Sequence, residues 1–172
     1  MHKFTVLITL LMIAAVMAGY GANPSNLSEP VAAANAAEAS FDFSLPEGYQ
    51  IADITDKSCS IVDANGTAVG GFVLTGLTAG SVRDMDRDME VYLRNIDESY
   101  EYISWKGGDF QHPTQDLSLY ITIPGREERK VYSRIFFVKD SGVYDMWFDC
   151  DLIDGEAISA FYPIAGIEYF EE

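Results

Sequence analysis

Four acidic residues and one tryptophan form the densest group of potentially reactive side chains in this sequence. Asp145, Trp147 and Asp149 alternate along a predicted strand and therefore project from one face, and Asp151 and Asp154 follow at its end. Carboxylates beside an aromatic ring could bind a cation, a sugar or a basic peptide segment. The pattern is also typical of a strand with a solvated polar face whose tryptophan packs under a helix. The candidate ligand-binding residues are Asp145, Trp147, Asp149 and Asp151.

Residues suited to acid–base or nucleophilic catalysis are few. The chain after residue 40 has one histidine, His112, in a loop flanked by glycine and proline, and it has no Gly-x-Ser-x-Gly motif. We therefore predict no catalytic residue. The alternative is a hydrolase with an unfamiliar carboxylate site built from Asp145, Asp149 and Asp151, which would require raised pKa values in one pocket.

The sequence predicts neither a metal site nor a cofactor. The histidine and the two cysteines are scattered, without the spacing of zinc ligands. The aspartates between residues 84 and 88 have the spacing of a calcium loop, but Met89 stands where that loop needs glycine and Asn95 where it needs glutamate. The glycines match neither nucleotide-binding fingerprint.

The two cysteines of the chain could form a disulfide in an exported protein. Cys59 falls in an early predicted strand and Cys150 at the end of a late one. Their separation in space does not follow from the sequence, so two buried thiols are the open alternative.

The overall charge restricts the class of partner. The chain contains 11 Lys and Arg against 27 Asp and Glu, a net charge of -16. Such a charge repels nucleic acid and anionic lipid, whereas it favours cationic partners or simply solubility. We expect an envelope protein or a cationic or small ligand as partner, and no nucleic acid.

The N-terminus has the parts of a secretory signal. Lys3 precedes an apolar run from Phe4 to Ala18, which is shorter than the roughly 20 residues that span a bilayer. The small residues that follow resemble a lipoprotein signal, but Tyr20 stands where the lipid-bearing cysteine would be. We predict a signal peptide or membrane anchor over 1–21, a flexible linker over 22–40 and a single globular domain over 41–172. The domain would be extracytoplasmic, either secreted or held at the outer face of the cytoplasmic membrane, with the N-terminal segment as its only membrane contact.

The patterns of that domain predict an α+β fold, an antiparallel sheet with one main helix and a short C-terminal helix. Turns at Asn65-Gly66 and at 140–142 predict two hairpins, and Gly70-Gly71 predicts a bulge or a close backbone approach. The main helix is predicted over Val82 to Asp97, with an apolar stripe and a capping box formed by Ser81 and Asp84. The short helix is predicted over 155–162.

Two resemblances point to the bacterial envelope. The segment Phe43–Tyr49, after a signal and spacer, resembles the opening of PsbP/DcrB-like envelope domains, which implies an antiparallel sheet flanked by helices and a role in binding partners. Leu45–Tyr49, Gly70–Phe72 and Val143–Asp149 resemble extracytoplasmic domains of clostridial-type bacteria, found in small lipoproteins and with BlaR-type sensors. Neither resemblance carries a catalytic residue to this chain.

The function that these observations favour is a non-catalytic extracytoplasmic binding or sensing domain at the bacterial cell envelope. The carboxylate hydrolase is one alternative. A structural interaction module that pairs through an exposed sheet edge is another.

Overall fold

The computed structural model describes residues 41–168, all within one compact unit. The predicted signal segment, 1–21, and the predicted linker, 22–40, lie outside the described residues and stay predictions. Within 41–168, no helix is long and apolar enough to cross a bilayer.

Seven strands form a single antiparallel sheet in the order β1-β2-β3-β7-β6-β5-β4. The strands are β1 (Gln50–Ala52), β2 (Ser58–Val62), β3 (Ala68–Leu74), β4 (Glu101–Gly108), β5 (Pro113–Ile121), β6 (Lys130–Lys139) and β7 (Gly142–Asp149). The helices are α1 (Ala79–Asp84), α2 (Arg87–Ile96), α3 (Gly155–Ser159) and a 3₁₀ helix (Tyr162–Ala165). The predicted α+β class with an antiparallel sheet is confirmed.

Both predicted hairpins are formed. The turn between β2 and β3 holds Gly66 at a φ of 78°, in the left-handed region that favours glycine. The turn between β6 and β7 consists of Asp140 and Ser141, whose φ values are 49° and 66°. Positive φ at both central residues matches the right-handed twist of the two strands that the turn connects.

The predicted helix from Val82 to Asp97 is wrong in one respect, because it is divided into α1 and α2. Met85 adopts a left-handed φ of 49° and ends α1. Asp86 Oδ1 then accepts hydrogen bonds from the backbone N–H groups of Asp88 and Met89, in the first turn of α2, at 2.9 and 3.1 Å. Aspartate is a preferred N-cap, so a new helix start competes with continuation of the old one. Ser81 is not the cap of α1, since Thr78 accepts its N–H and begins the helix earlier.

The sheet buries apolar side chains on both faces. We call them the α2 face and the α3 face, after the helix that covers each. The alternation predicted for β7 is confirmed, since Val143 packs on the α2 face while Tyr144, Met146 and Phe148 pack on the α3 face. The α2-face core consists of Val82, Met89, Leu93, Leu117, Leu119, Ile121, Phe136 and Val143.

The α3 face is covered unevenly. Its buried cluster lies over β2, β3, β6 and β7, under α3, the 3₁₀ helix and the segment that begins at Phe41. Over β4, at the edge of the sheet, the same face leaves Ile103 53% and Trp105 69% exposed. The covering elements therefore end beside an open part of the sheet.

Gly70 and Gly71 combine the two roles predicted for them. The register between β2 and β3 shifts between Ile61 and Val62, because Ile61 pairs with Gly70 and Val62 with Ala68. Val69 is therefore the extra residue of a bulge in β3, directly before Gly70. A Cβ atom at residue 70 would overlap the carbonyl oxygen of Trp147, so the strands approach closely where both positions lack side chains.

Candidate functional site

The predicted ligand-binding residues share a strand, but each has a different environment. Asp145, Trp147 and Asp149 lie on the α2 face of β7, and Asp151 follows the strand. The face was therefore predicted correctly, whereas the structure does not bring the three carboxylates together at one accessible site.

Asp145 is fully buried between the sheet and α2. Arg134 on β6 donates to its Oδ2, and the Tyr92 hydroxyl on α2 donates to the same oxygen at 2.8 Å. Burial raises the pKa of Asp145, and the charge of Arg134 and the hydrogen bond from Tyr92 oppose that rise. Burial and the charge of Asp145 raise the pKa of Tyr92, so its hydroxyl keeps the proton that it donates. Asp145 joins α2 to the sheet, out of reach of a ligand.

The other two carboxylates are held by separate basic side chains. Lys130 Nζ lies 2.6 Å from Asp149 Oδ2, and Arg126 Nη1 lies 3.0 Å from Asp151 Oδ2. Within residues 41–168, no three acidic, histidine or cysteine side chains are grouped as metal ligands.

Trp147 borders a groove, but with basic neighbours. A Cβ atom at Gly71 would lie 3.0 Å from its Nε1, and its ring centroid is 6.2 Å from that of Tyr132. The groove has a volume of about 390 Å³ and is also lined by Lys130 and Arg134. Asp97 also lines the groove, where its Oδ1 accepts hydrogen bonds from Ser99, but the carboxylates that the sequence suggested are not among the lining residues.

The disulfide left open by the sequence is not formed. Cys59 is a buried thiol in β2, and Cys150 is an exposed thiol directly after β7. Through Phe72 of β3, Cys59 aligns with Met146, four residues before Cys150. At about 3.3 Å per residue, the cysteines are roughly 13 Å apart along the strands alone, which exceeds the limit of about 7 Å for a disulfide.

A larger cavity lies on the open part of the α3 face. Its volume is about 520 Å³, and β4, β5 and β6 form its floor beside α3 and the 3₁₀ helix. We call it the Trp105 cavity. The residues that line it are Trp105, Lys106, Gly107, Thr114, Asp116, Ser118, Ser133, Cys150, Gly155, Ile158, Tyr162, Ile167 and Glu168.

Asp116 gives the cavity its electrostatic character. It lies half-buried on β5, directly across the β4–β5 pair from Trp105. Burial raises the pKa of the Asp116 carboxyl, and a hydrogen bond from Tyr162 opposes part of that rise. Aspartate with a raised pKa in a concave site is a typical candidate for function.

Sequence reasoning missed this cavity, although β5 carried a signal. Asp116 and Ser118 alternate with Leu117 and Leu119, which predicts a strand with one polar and one apolar face. Nothing in that alternation indicates that Trp105 lies on the same face or that α3 leaves this face open.

Comparison with models of protein families gives no match, and comparison with the curated proteins gives none either. The functional interpretation therefore rests on the geometry of the cavity and on the sequence.

Proposed function

We propose that the chain is a non-catalytic binding domain at the bacterial cell envelope, and that it binds a small organic cation in the Trp105 cavity. One observation carries the choice of ligand. An exposed indole, Trp105, and a half-buried carboxylate, Asp116, are adjacent in one open cavity. The placement outside the cytoplasmic membrane is supported by the predicted export signal and by the resemblance to envelope domains.

The chemistry of the lining favours a cation over a neutral or anionic ligand. Aromatic faces attract ammonium groups through the ring quadrupole, and Trp105 and Tyr162 both line the cavity. Asp116 has lost part of its hydration, so a bound cation would compensate its charge. The net charge of -16 attracts cations and repels anions at longer range.

The geometry supports binding better than catalysis. Although residue Cys150 is exposed overall, partial desolvation of its thiol, together with the nearby charges of Asp149 and Asp151, raises the pKa of the thiol and makes it a weak nucleophile. His112 lies in the exposed loop between β4 and β5, where its Nδ1 is 3.3 Å from Asp109 Oδ1, and it is not among the cavity's described lining residues. Among the described residues that line the cavity, the hydroxyl groups of Ser118 and Ser133 therefore have no histidine beside them to activate either as a nucleophile.

Calorimetric titration with organic cations tests the proposal. We expect choline, or another quaternary or primary amine of the panel, to bind at least about tenfold more tightly than its neutral isostere, 3,3-dimethyl-1-butanol for choline. Trp105→Ala should weaken binding of that cation, while Ile54→Ala, an exposed apolar residue at the far edge of the sheet, is the matched control. Equal affinity for cation and isostere, or no binding across the panel, would contradict the proposal.

Asp116→Asn is expected to weaken cation binding and to abolish the pH dependence of that binding. In the unaltered chain, affinity should fall as the pH is lowered through the pKa of Asp116, which burial places above that of an ordinary aspartate. We expect a loss of about tenfold or more in affinity at pH 7. Affinity that falls equally with pH in Asp116→Asn would show that another group controls binding.

The same substitution should raise the melting temperature at pH 7. A carboxyl whose pKa is higher in the folded state contributes stability below its unfolded pKa and loses that contribution as the pH rises through the folded value. Asparagine does not ionise, so the Asp116→Asn variant does not lose this contribution at pH 7. In acid the Asp116 carboxyl is protonated as well, so the difference in melting temperature between the two proteins should disappear. Thermal unfolding at several pH values measures the difference.

A further inference from the structure

The two edges of the sheet are unequal. β1 is three residues long, whereas β4 is eight residues long and pairs with β5 at every position without a bulge. A long, regular outer strand presents a row of backbone N–H and C=O groups that another strand can pair with. Proteins commonly protect such an edge with proline, a bulge or several charges, and β4 contains only Glu101 and Lys106 as charged residues.

The side chains of β4 are also unusually apolar for an exposed strand. Tyr102 is 42% exposed, Ile103 53% and Trp105 69%. Tyr102 lies on the α2 face, while Ile103 and Trp105 lie on the α3 face. Both faces of the edge therefore offer apolar surface for a strand placed beside it.

We infer that β4 pairs antiparallel with β4 of a second copy of this chain, so that the two sheets join in a symmetric dimer. The symmetry requires paired residues to lie on the same face of the joined sheet. A two-fold axis at Ser104 satisfies this requirement. It places Ile103 opposite the second copy's Trp105 on one face, and Tyr102 opposite the second copy's Lys106 on the other.

This register is complementary in its side chains. Each contact occurs twice, once on either side of the axis. One is an aromatic–aliphatic pair, and the other places Lys106 over an aromatic ring once its Nζ turns from the Arg83 carbonyl oxygen, which it contacts at 3.3 Å. A shift of the axis to Ile103 would instead place Glu101 opposite Trp105 and lose both contacts. The register at Ser104 therefore favours a second copy over an unrelated strand.

The local charge of the edge allows self-association despite the acidic chain. Arg129 Nη1 lies 2.5 Å from Glu101 Oε2, and Lys106 adds a positive charge, so pairing brings no unpaired β4 carboxylates together. The net charge of -16 still repels the second copy at longer range. Since salt screens that repulsion, raising the ionic strength should tighten the dimer.

Sedimentation velocity on the full chain over a dilution series tests the inference. We expect a reversible dimer that tightens between about 0.05 M and about 0.5 M NaCl. Tyr102→Lys places an introduced lysine opposite Lys106 of the second copy and should weaken the dimer about tenfold or more. Adding Lys106→Glu to that variant should restore association, because the facing charges become opposite.

Ile54→Lys is the matched control, since Ile54 is 67% exposed and follows β1, at the other edge of the sheet. Hydrogen exchange tests the dimer without any substitution. The backbone amides of β4 in the unaltered chain should become more protected as the protein concentration rises. A chain that stays monomeric, an equal effect of Tyr102→Lys and Ile54→Lys, or a failure of Lys106→Glu to restore association would overturn the inference. Tyr102 lies on the face opposite the Trp105 cavity and does not line it, so the result of Tyr102→Lys does not depend on whether the cavity binds a cation.

Discussion

Asp145→Asn is expected to lower the free energy of unfolding by about 3 to 5 kcal/mol. The substitution keeps the size of the side chain but removes its charge, and Arg134 is then left as a cation with only 9% of its surface exposed. The penalty is that of a buried charge without a counter-ion. Chemical denaturation of the unaltered chain and of Asp145→Asn measures this loss, when both proteins show the same dependence of the free energy of unfolding on denaturant concentration.

A double replacement separates the penalty of the unpaired charge from the value of the ion pair. Arg134 Nε and Asp145 Oδ1 are buried without a hydrogen-bond partner in the described structure, so the polar network is only partly satisfied. Arg134→Met with Asp145→Leu should therefore recover most of the lost stability, since apolar side chains of similar volume often replace a buried ion pair without loss. A cost below about 1 kcal/mol for Asp145→Asn alone would show that the Arg134 charge is solvated.

Gly70→Ala is expected to destabilise the fold by about 3 kcal/mol. The added methyl group would overlap the backbone carbonyl oxygen of Trp147 and lie 2.8 Å from Cδ1 of Phe148. A backbone atom in the middle of a sheet cannot turn aside as a flexible side chain can. The pairing of β3 with β7 must therefore open, which exposes part of the core on the α3 face.

Gly76→Ala is the matched control for Gly70→Ala. A Cβ atom at Gly76 would have no atom within 4 Å, and its φ lies outside the left-handed region. We expect this control to be neutral or slightly stabilising, because alanine lowers the entropy of the unfolded chain. Thermal or denaturant unfolding of the two variants side by side gives the comparison, and similar losses would contradict a role for close strand approach.

Asp145 and Asp116 show how one residue type can have two roles. Asp145 has a cation and a hydroxyl group as partners inside the core, so its replacement should destabilise the protein. Asp116 is partly desolvated beside an open cavity, with Tyr162 as its hydrogen-bond partner, and its replacement should stabilise the protein. A residue that lowers stability while lining an open cavity is typical of a binding site.

The sequence by itself determined the local structure of this protein. The alternation in β7 placed Val143 and Tyr144 on opposite faces, because successive side chains of a strand point in opposite directions. The residues at 140–142 specified a hairpin, because they tolerate positive φ. The apolar stripe of the main helix was also read correctly, since Val82, Met89 and Leu93 are buried together although the helix is divided.

Only the tertiary structure decided which residues meet across the fold. Arg134 is the partner of Asp145 because β6 and β7 are adjacent and α2 covers both, and a strand pattern does not specify the depth of burial under a helix. Asp116 and Trp105 became neighbours through the register of β4 with β5. Their cavity exists because α3 and the 3₁₀ helix end before they cover this part of the sheet. The conformational preferences of residues act over a few neighbouring positions, whereas the cavity depends on where α3 and the 3₁₀ helix, which are distant in sequence from β4, end over the sheet.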